Sequence, residues 1–119
     1  MTSILLVEDE PFVAELVEEA LSEAGLEVKV ARDDRAAFAA LEGEARSFAA
    51  LVTDVNLGPG ANGFEVARRA RELNADIKVV YITGHAAHLA RQGVADALMF
   101  PKPFDALELA DRVRGLCDS

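Results

Sequence analysis

Carboxylates follow or end two of the short apolar runs in this chain. Glu8 and Asp9 come directly after the run ILLV, and Asp54 ends the run AALVTD. Strand interiors disfavour Asp, so an acid in this place suggests a role at a strand end. Three carboxylates lying close together would repel each other and raise their own pKa values. A divalent cation relieves that repulsion, and a ligand set made only of oxygen atoms suits Mg²⁺.

Two further polar residues stand at the ends of later apolar runs. Thr83 ends the run VVYIT and is followed by Gly84, and Lys102 follows the run ALMF after one proline. A carboxylate, a divalent metal, a lysine and a hydroxyl are the groups that in-line phosphoryl transfer requires. In that chemistry the carboxylate attacks phosphorus, while the metal and the lysine neutralise charge on the phosphoryl oxygens.

The apolar runs are rich in Val, Ile and Leu and mostly lack polar–apolar alternation, which is typical of strands buried on both faces of a parallel sheet. Helical segments alternate with them, so the pattern predicts an α/β fold of the (βα)5 type. Right-handed crossovers make the sheet doubly wound, and the flavodoxin-like order 2-1-3-4-5 suits five strands. The predicted strands are Ile4–Val7, Leu26–Ala31, Ala49–Asp54, Ile77–Thr83 and Ala95–Phe100.

The helical segments carry start and stop signals. Pro11 suits the first turn of the first helix, and Gly25 suits its end. Asp33 or Asp34 can cap the second helix, and the third is predicted from about Phe64 to Leu73. Only the segment HAAHLARQGV separates the fourth and fifth strands, so we expect a short or irregular fourth helix.

Composition limits the possible partners and the location. The 119 residues are 51% apolar, and we expect them to form one domain, 1–119. A net charge of −9 disfavours a nucleic-acid or anionic membrane partner, because both need concentrated Lys and Arg. The single cysteine cannot form an internal disulfide, and no apolar run approaches the ~18 residues of a membrane span. These features predict a cytoplasmic protein.

Four motifs in order, ILLVEDEP, LVTDVNL, VVYITGH and PKPF, resemble those of the receiver domains of two-component response regulators. The resemblance covers nearly the whole chain, and the set is specific although each motif alone is weak. It implies a stand-alone receiver in a two-component or phosphorelay pathway, phosphorylated by a histidine kinase or a histidine phosphotransfer protein. Phosphorylation would switch its contacts with a downstream protein target. The only reactions expected of it are its own phosphorylation and dephosphorylation, so it is not predicted to be an enzyme.

The resemblance also assigns roles to individual residues. Asp54 would be the phosphorylated residue, and Thr83 and Lys102 would contact the phosphoryl group. The Lys102–Pro103 bond is usually cis in this family. The implied Mg²⁺ ligands are Glu8, Asp9, Asp54 and the backbone carbonyl of Asn56.

Three departures from the family pattern stand out. The loop NLGPGANG after Asp54 is one residue longer than usual, which would alter metal or partner access. Met99 occupies a position that is usually aromatic and acts with the threonine, here Thr83, as a switch. The segment after Thr83 is shorter than usual, and we expect 85–93 to be mobile without the phosphoryl group.

Two other functions fit the residue pattern less well. A Mg²⁺-dependent phosphohydrolase with an aspartyl-phosphate intermediate commonly has a second Asp two residues after the nucleophile, where this chain has Asn56. Flavodoxin-like cofactor binding needs a neutral phosphate loop after the first strand, and the acidic sequence EDEP would repel a phosphate there. His85 and His88 are interpreted as exposed loop residues rather than metal ligands.

Overall fold

Strands and helices alternate from residue 3 to residue 83, as the apolar periodicity predicts. A computed structural model describes residues 2–84 and 93–118. The strands are β1 Ser3–Val7, β2 Glu27–Ala31, β3 Phe48–Asp54, β4 Lys78–Thr83 and β5 Leu98–Pro101. The helices are α1 Pro11–Glu23, α2 Asp34–Glu44, α3 Gly63–Leu73 and α4 Ala106–Asp118, with a 3₁₀ turn at Ala45–Ser47.

The five strands form one parallel sheet in the order β2-β1-β3-β4-β5. This order confirms the predicted doubly wound, flavodoxin-like topology. The chain first winds from β1 out to β2 and then returns past β1 to β3. Crossovers on the two sides of β1 therefore lead to opposite faces of the sheet, and a crevice opens beyond the carboxyl ends of β1 and β3.

The core consists of two layers, one on each face of the sheet. Along β1, Leu5 and Val7 pack in the layer shared with α2 and α3, whereas Ile4 and Leu6 pack in the layer shared with α1 and α4. Successive strand residues point to opposite faces, so a strand covered on both sides needs apolar residues at every position. The central strands β1, β3 and β4 are almost wholly buried and carry apolar residues except at or near their ends.

The two edge strands are less buried than the sequence pattern suggests. Residues of β2 alternate in exposure until Ala31, and those of β5 are half-buried before the exposed Pro101. An edge strand has a neighbour on one side only, so solvent reaches part of its surface.

Local signals define where the helices begin. Pro11 is the first residue of α1, Asp33 caps α2 by accepting a hydrogen bond from the Ala36 N–H at 2.8 Å, and Asn62 caps α3. Side-chain oxygens at these positions satisfy N–H groups that the first helical turn leaves without partners. The predicted fourth helix and the predicted mobility of 85–93 fall almost entirely on residues 85–92, which lie outside the described residues.

Candidate functional site

The polar residues singled out in the sequence come together at the carboxyl edge of the sheet. Glu8 directly follows β1, Asp54 ends β3, Thr83 ends β4, and Lys102 directly follows β5. Because all strands are parallel, their carboxyl ends meet along this one edge.

Three carboxylates lie close enough together to share one ion. Oxygen atoms of Glu8, Asp9 and Asp54 all lie within 4.8 Å of one another. Glu8 and Asp54 are buried and Asp9 is exposed, so the cluster opens to solvent on one side. The separations are comparable to twice a Mg²⁺–oxygen bond of ~2.1 Å, and the open side leaves room for water ligands. These oxygens therefore fit a hard divalent cation.

Lys102 connects two of these acids. Its ammonium donates a hydrogen bond to Asp54 Oδ2 at 3.0 Å and lies 3.9 Å from Glu8 Oε1. Partial burial acts to lower the pKa of Lys102, but the hydrogen bond to Asp54 and the charges of both acids outweigh it, and the pKa rises above its ordinary value. The lysine backbone is held as well, because its N–H donates to the Thr83 carbonyl at 2.8 Å. Lys102 and Pro103 are joined by a cis peptide bond, as the resemblance implied.

Glu8 is the most constrained acid of the cluster. Its Oε2 accepts a hydrogen bond from the Glu10 N–H at 3.0 Å, but its buried Oε1 has no hydrogen-bond partner among the described residues. The pKa of Glu8 is raised to about 7: burial is the largest cause, the charge of Asp54 and a hydrogen bond with the Asp9 carboxyl act in the same direction, and the Glu10 N–H and the Lys102 charge oppose them. A buried polar atom without a partner is costly. A cation bound beside it would remove that cost, so this atom independently supports a metal site.

Asp54 is held by hydrogen bonds on both carboxylate oxygens. Oδ1 accepts from the Asn56 N–H at 3.1 Å, and Oδ2 accepts from Lys102. The Thr53 hydroxyl donates to the Asp54 carbonyl at 2.9 Å and steadies the end of the strand. The side chain of Asn56 is exposed, so its tie to the site is through its backbone.

The two predicted switch residues lie on neighbouring strands. Thr83 is buried at the end of β4, where its carbonyl holds Lys102. Met99 is half-buried on β5, pairs in register with Tyr81 of β4, and packs against the core layer of α2 and α3. His85 and His88 lie outside the described part of the chain.

One contact of the site involves a residue that the sequence reasoning did not select. The guanidinium of Arg32 donates to the carbonyl of Asp9 at 3.4 Å. Arg32 directly follows β2, and the strand order places the end of β2 beside the end of β1. The predicted order 2-1-3 therefore contained the signal, since it places the loop after β2 next to the acidic loop after β1.

Comparison with known proteins identifies the protein family of this chain. The family model of the response regulator receiver domain matches residues 4–114. The chain belongs to the response regulator receiver family. This receiver is a signalling domain of two-component response regulators, and membership in the family favours that function over the phosphohydrolase alternative.

Similar sequences occur alone and within longer proteins. The chain is 34% identical over 116 residues to the response regulator receiver protein CpdR of Brucella abortus, covering 95% of this chain and 94% of CpdR. It is 40% identical over 117 residues to the transcriptional regulatory protein TcrA of Mycobacterium tuberculosis, covering 95% of this chain but 45% of TcrA. The receiver thus spans nearly all of one relative and less than half of the other.

Solved structures share the fold closely. A response regulator receiver protein from Sinorhizobium medicae superposes with a TM-score of 0.91 at 34% identity, covering 99% of this chain and 95% of that one. The response regulator TrrA from Thermotoga maritima, solved in complex with Mg²⁺-BeF, has a TM-score of 0.84 at 30% identity, covering 98% and 99%. In the described ranges of the present chain, no helix has the length and apolar character needed to cross a membrane.

Proposed function

We propose that Asp54 accepts a phosphoryl group from a phosphohistidine carried by a histidine kinase or a histidine phosphotransfer protein. The main support is the position of its carboxylate, which lies 3.0 Å from the Lys102 ammonium and within 4.8 Å of the oxygens of Glu8 and Asp9. An anionic nucleophile beside a lysine and a divalent-cation site is suited to attack a phosphoryl group.

The transfer exchanges one bond for another. A carboxylate oxygen of Asp54 forms the new bond to phosphorus while the nitrogen–phosphorus bond of the phosphohistidine breaks, and the bonding pair leaves with the imidazole nitrogen. Lys102 and the hydroxyl of Thr83 each hold a phosphoryl oxygen. Dephosphorylation is a separate hydrolysis: water attacks phosphorus, the bond from phosphorus to the Asp54 oxygen breaks with its electron pair staying on the carboxylate, and inorganic phosphate is released. The domain thus catalyses only its own phosphorylation and dephosphorylation.

The cation that fits this cluster is Mg²⁺, which when bound supplies positive charge to the phosphoryl oxygens. Its binding is supported by Oε1 of Glu8, which has no hydrogen-bond partner in the described part of the chain, and by the two neighbouring carboxylates of Asp9 and Asp54. The residues that would hold it are Glu8, Asp9, Asp54 and the backbone carbonyl of Asn56.

The donor would dock beside α1. Phe12 is 77% exposed and lies two residues after Glu10, whose N–H binds Glu8, so it stands at the site end of the helix. Leu16, one turn further on the same face, is also exposed. Leu107 is exposed near the start of α4, a helix that packs against α1. Three exposed apolar side chains beside a phosphoryl-transfer site fit an amphipathic partner helix.

The response to phosphorylation would begin at Thr83 and Met99. A phosphoryl group that binds Thr83 and Lys102 better in one conformation shifts the population towards that conformation. The changed surface would then bind a downstream protein target.

The role of Asp54 is tested by intact-mass spectrometry after incubation with Mg²⁺ and a small phosphodonor. The wild type should gain the mass of one phosphoryl group, and Asp54→Ala should gain none. Asp76→Ala, which removes an exposed acid from the opposite edge of the sheet, should behave as wild type. Equal labelling of wild type and Asp54→Ala, or no labelling of wild type by several donors, would contradict the proposal.

A further inference from the structure

The loop between β3 and α3, residues 55–62, is firmly held at both ends. Val55 donates its N–H to a carbonyl of β4 at 3.0 Å, and Asn62 caps α3. Between them, Gly58 and Gly60 have φ angles of +84° and +108°, a region that favours glycine. Buried Leu57 anchors the first part of the loop in the core. Glycine gives residues 58–60 many alternative conformations, so a contact beside them contributes to the order of the rest of the loop.

Asp34 makes that contact. Its Oδ2 accepts a hydrogen bond from the Ala61 N–H at 3.0 Å, and its Oδ1 accepts from the Arg35 N–H at 3.0 Å. The carboxylate packs so closely on the loop that a Cβ at Gly60 would lie 2.7 Å from Oδ2. The contact therefore joins the start of α2 to the middle of the loop after Asp54.

Capping of α2 does not account for Asp34. Asp33 performs that role through its hydrogen bond from the Ala36 N–H at 2.8 Å. Asp34 is the first residue of the helix, and it is half-buried because its carboxylate points to the neighbouring loop. The two adjacent acids thus have different roles: Asp33 caps the helix, and Asp34 binds the neighbouring loop.

The turn after β2 contacts both loops that carry the acids. Arg32 donates to the carbonyl of Asp9 in the loop after β1, and Asp34 accepts from Ala61 in the loop after β3. The three clustered carboxylates, those of Glu8, Asp9 and Asp54, all lie outside this turn. Its contacts therefore act on the backbone that presents the acids, not on the cluster itself.

We infer that Asp34 is a positioning residue for the Mg²⁺ site, an inference that rests on the proposed function. By holding Ala61, it orders the loop that contains Asn56 before the cation binds, so binding costs less conformational entropy. Residues that orient metal ligands without touching the metal commonly change metal affinity when they are replaced. Replacement of Asp34 should therefore weaken cation binding markedly while having only a small effect on folding stability.

The test compares Asp34→Ala, Asp34→Asn and the matched control Asp33→Ala. Both alanine variants remove one carboxylate from the start of α2, so a general charge effect on cation binding is similar in the two. The Mg²⁺ dissociation constant is measured by calorimetric titration with Mg²⁺ alone. Melting temperature and hydrogen exchange of the Ala61 amide are measured in the absence of metal.

Asp34→Ala should raise the Mg²⁺ dissociation constant by roughly tenfold and speed exchange of the Ala61 amide. Asp33→Ala should lower the melting temperature at least as much, yet leave both of those measurements near wild type. Asp34→Asn retains one acceptor oxygen and should fall between wild type and Asp34→Ala.

Three other outcomes would overturn the inference, and they are distinguishable. If wild type binds Mg²⁺ and Asp34→Ala binds it equally well, Asp34 does not position the site, while the proposed function stands. If wild type does not bind Mg²⁺, the proposed metal site is wrong, and the inference fails with it. An equal loss of affinity in Asp33→Ala would assign the effect to charge or helix stability instead of the Ala61 contact.

Discussion

Glu8 is fully buried directly after β1, where one carboxylate oxygen accepts from Glu10 and the other lies 3.9 Å from Lys102. At neutral pH this carboxyl is balanced between its charged and neutral forms, because burial raises its pKa to about 7. Asp54, by contrast, has a hydrogen-bond donor on each oxygen. The two acids therefore have different environments, although both lie at the carboxyl end of a strand. Asp54, the proposed nucleophile, has more hydrogen-bond donors to its carboxylate than Glu8 has.

The raised pKa of Glu8 predicts how the stability of the metal-free protein depends on pH. The folded state holds this proton more tightly than the unfolded state, whose carboxyl has an ordinary pKa of 4.5. The contribution of Glu8 to the free energy of unfolding is therefore fully present below pH 4.5, and it is lost as the pH rises through about 7. The shift corresponds to at most about 3 kcal/mol.

Urea unfolding in EDTA at several pH values between 4.5 and 8 measures this effect against Glu8→Gln. The wild type should lose stability relative to Glu8→Gln as the pH rises, because glutamine carries no charge into the buried site. Glu10→Gln, an exposed neighbour, should follow the wild type. A difference between wild type and Glu8→Gln that does not change with pH would contradict the prediction.

At the scale of the elements, β4 links the site to the chain that returns into β5. The Tyr81 hydroxyl accepts a hydrogen bond from the Val94 N–H at 3.0 Å, and its ring packs edge-on against Phe64 with centroids 4.9 Å apart. Tyr81 is two residues before Thr83 and pairs in register with Met99. The buried aromatic ring of Tyr81 therefore lies on β4 beside Met99, the β5 position at which the family resemblance leads us to expect an aromatic residue.

The packing of Tyr81 predicts a strong effect of Gly93→Ala. A Cβ at Gly93 would lie 2.7 Å from Tyr81 Cε2, and the buried ring cannot move freely away from Phe64. Crowding of this kind should reduce the free energy of unfolding by about 1–3 kcal/mol. Chemical denaturation measures it.

Gly43→Ala is the matched control for this variant. Gly43 is a residue of α2, and a Cβ there would have no neighbour within 4 Å. Alanine favours the helix over glycine, so this change should increase stability by up to about 1 kcal/mol. Equal stabilities of the two alanine variants would show that the Tyr81 contact does not constrain Gly93.

At the scale of the whole molecule, the sheet divides the domain into two layers with different surfaces. The layer of α2 and α3 ends at the loop that Asp34 holds, whereas the layer of α1 and α4 exposes Phe12, Leu16 and Leu107. These are the only large hydrophobic side chains that are exposed in the described ranges 2–84 and 93–118. Phe12 and Leu107 are each the second residue of a helix that begins at the carboxyl edge of the sheet, so exposed apolar side chains lie at the site end of both helices of this layer.

This surface predicts that Phe12→Ser separates protein donors from small donors. Phosphoryl transfer from a cognate phosphohistidine protein should slow by roughly tenfold, since an exposed aromatic side chain commonly anchors an interface. Phosphorylation by a small donor should be unchanged, because the ring is 77% exposed and Phe12 supplies no ligand atom to the carboxylate cluster. Single-turnover transfer assays with both donors measure the two rates. Equal slowing with both donors would indicate damage to the site, and no slowing with either would exclude Phe12 from the docking surface.

The sequence by itself determined the doubly wound parallel sheet and the types of residue at its carboxyl edge. Parallel strands bring their ends to one edge, so Glu8, Asp54, Thr83 and Lys102 could be expected together from the positions of the apolar runs alone. The starts of α1, α2 and α3 also followed closely, because Pro11 and the polar caps act over a few residues. The fifth strand begins at Leu98, three residues after the predicted Ala95.

Tertiary structure alone decided which of two similar residues performs which task. The sequence left the cap of α2 open between Asp33 and Asp34, and only the approach of a loop 27 residues away assigns Asp34 to Ala61. Likewise, the largest cause of the raised pKa of Glu8 is its burial on folding, which outweighs the effects of its chain neighbours Asp9 and Glu10. Short-range patterns follow from spacing along the backbone, whereas burial and contacts between distant loops depend on how the layers pack.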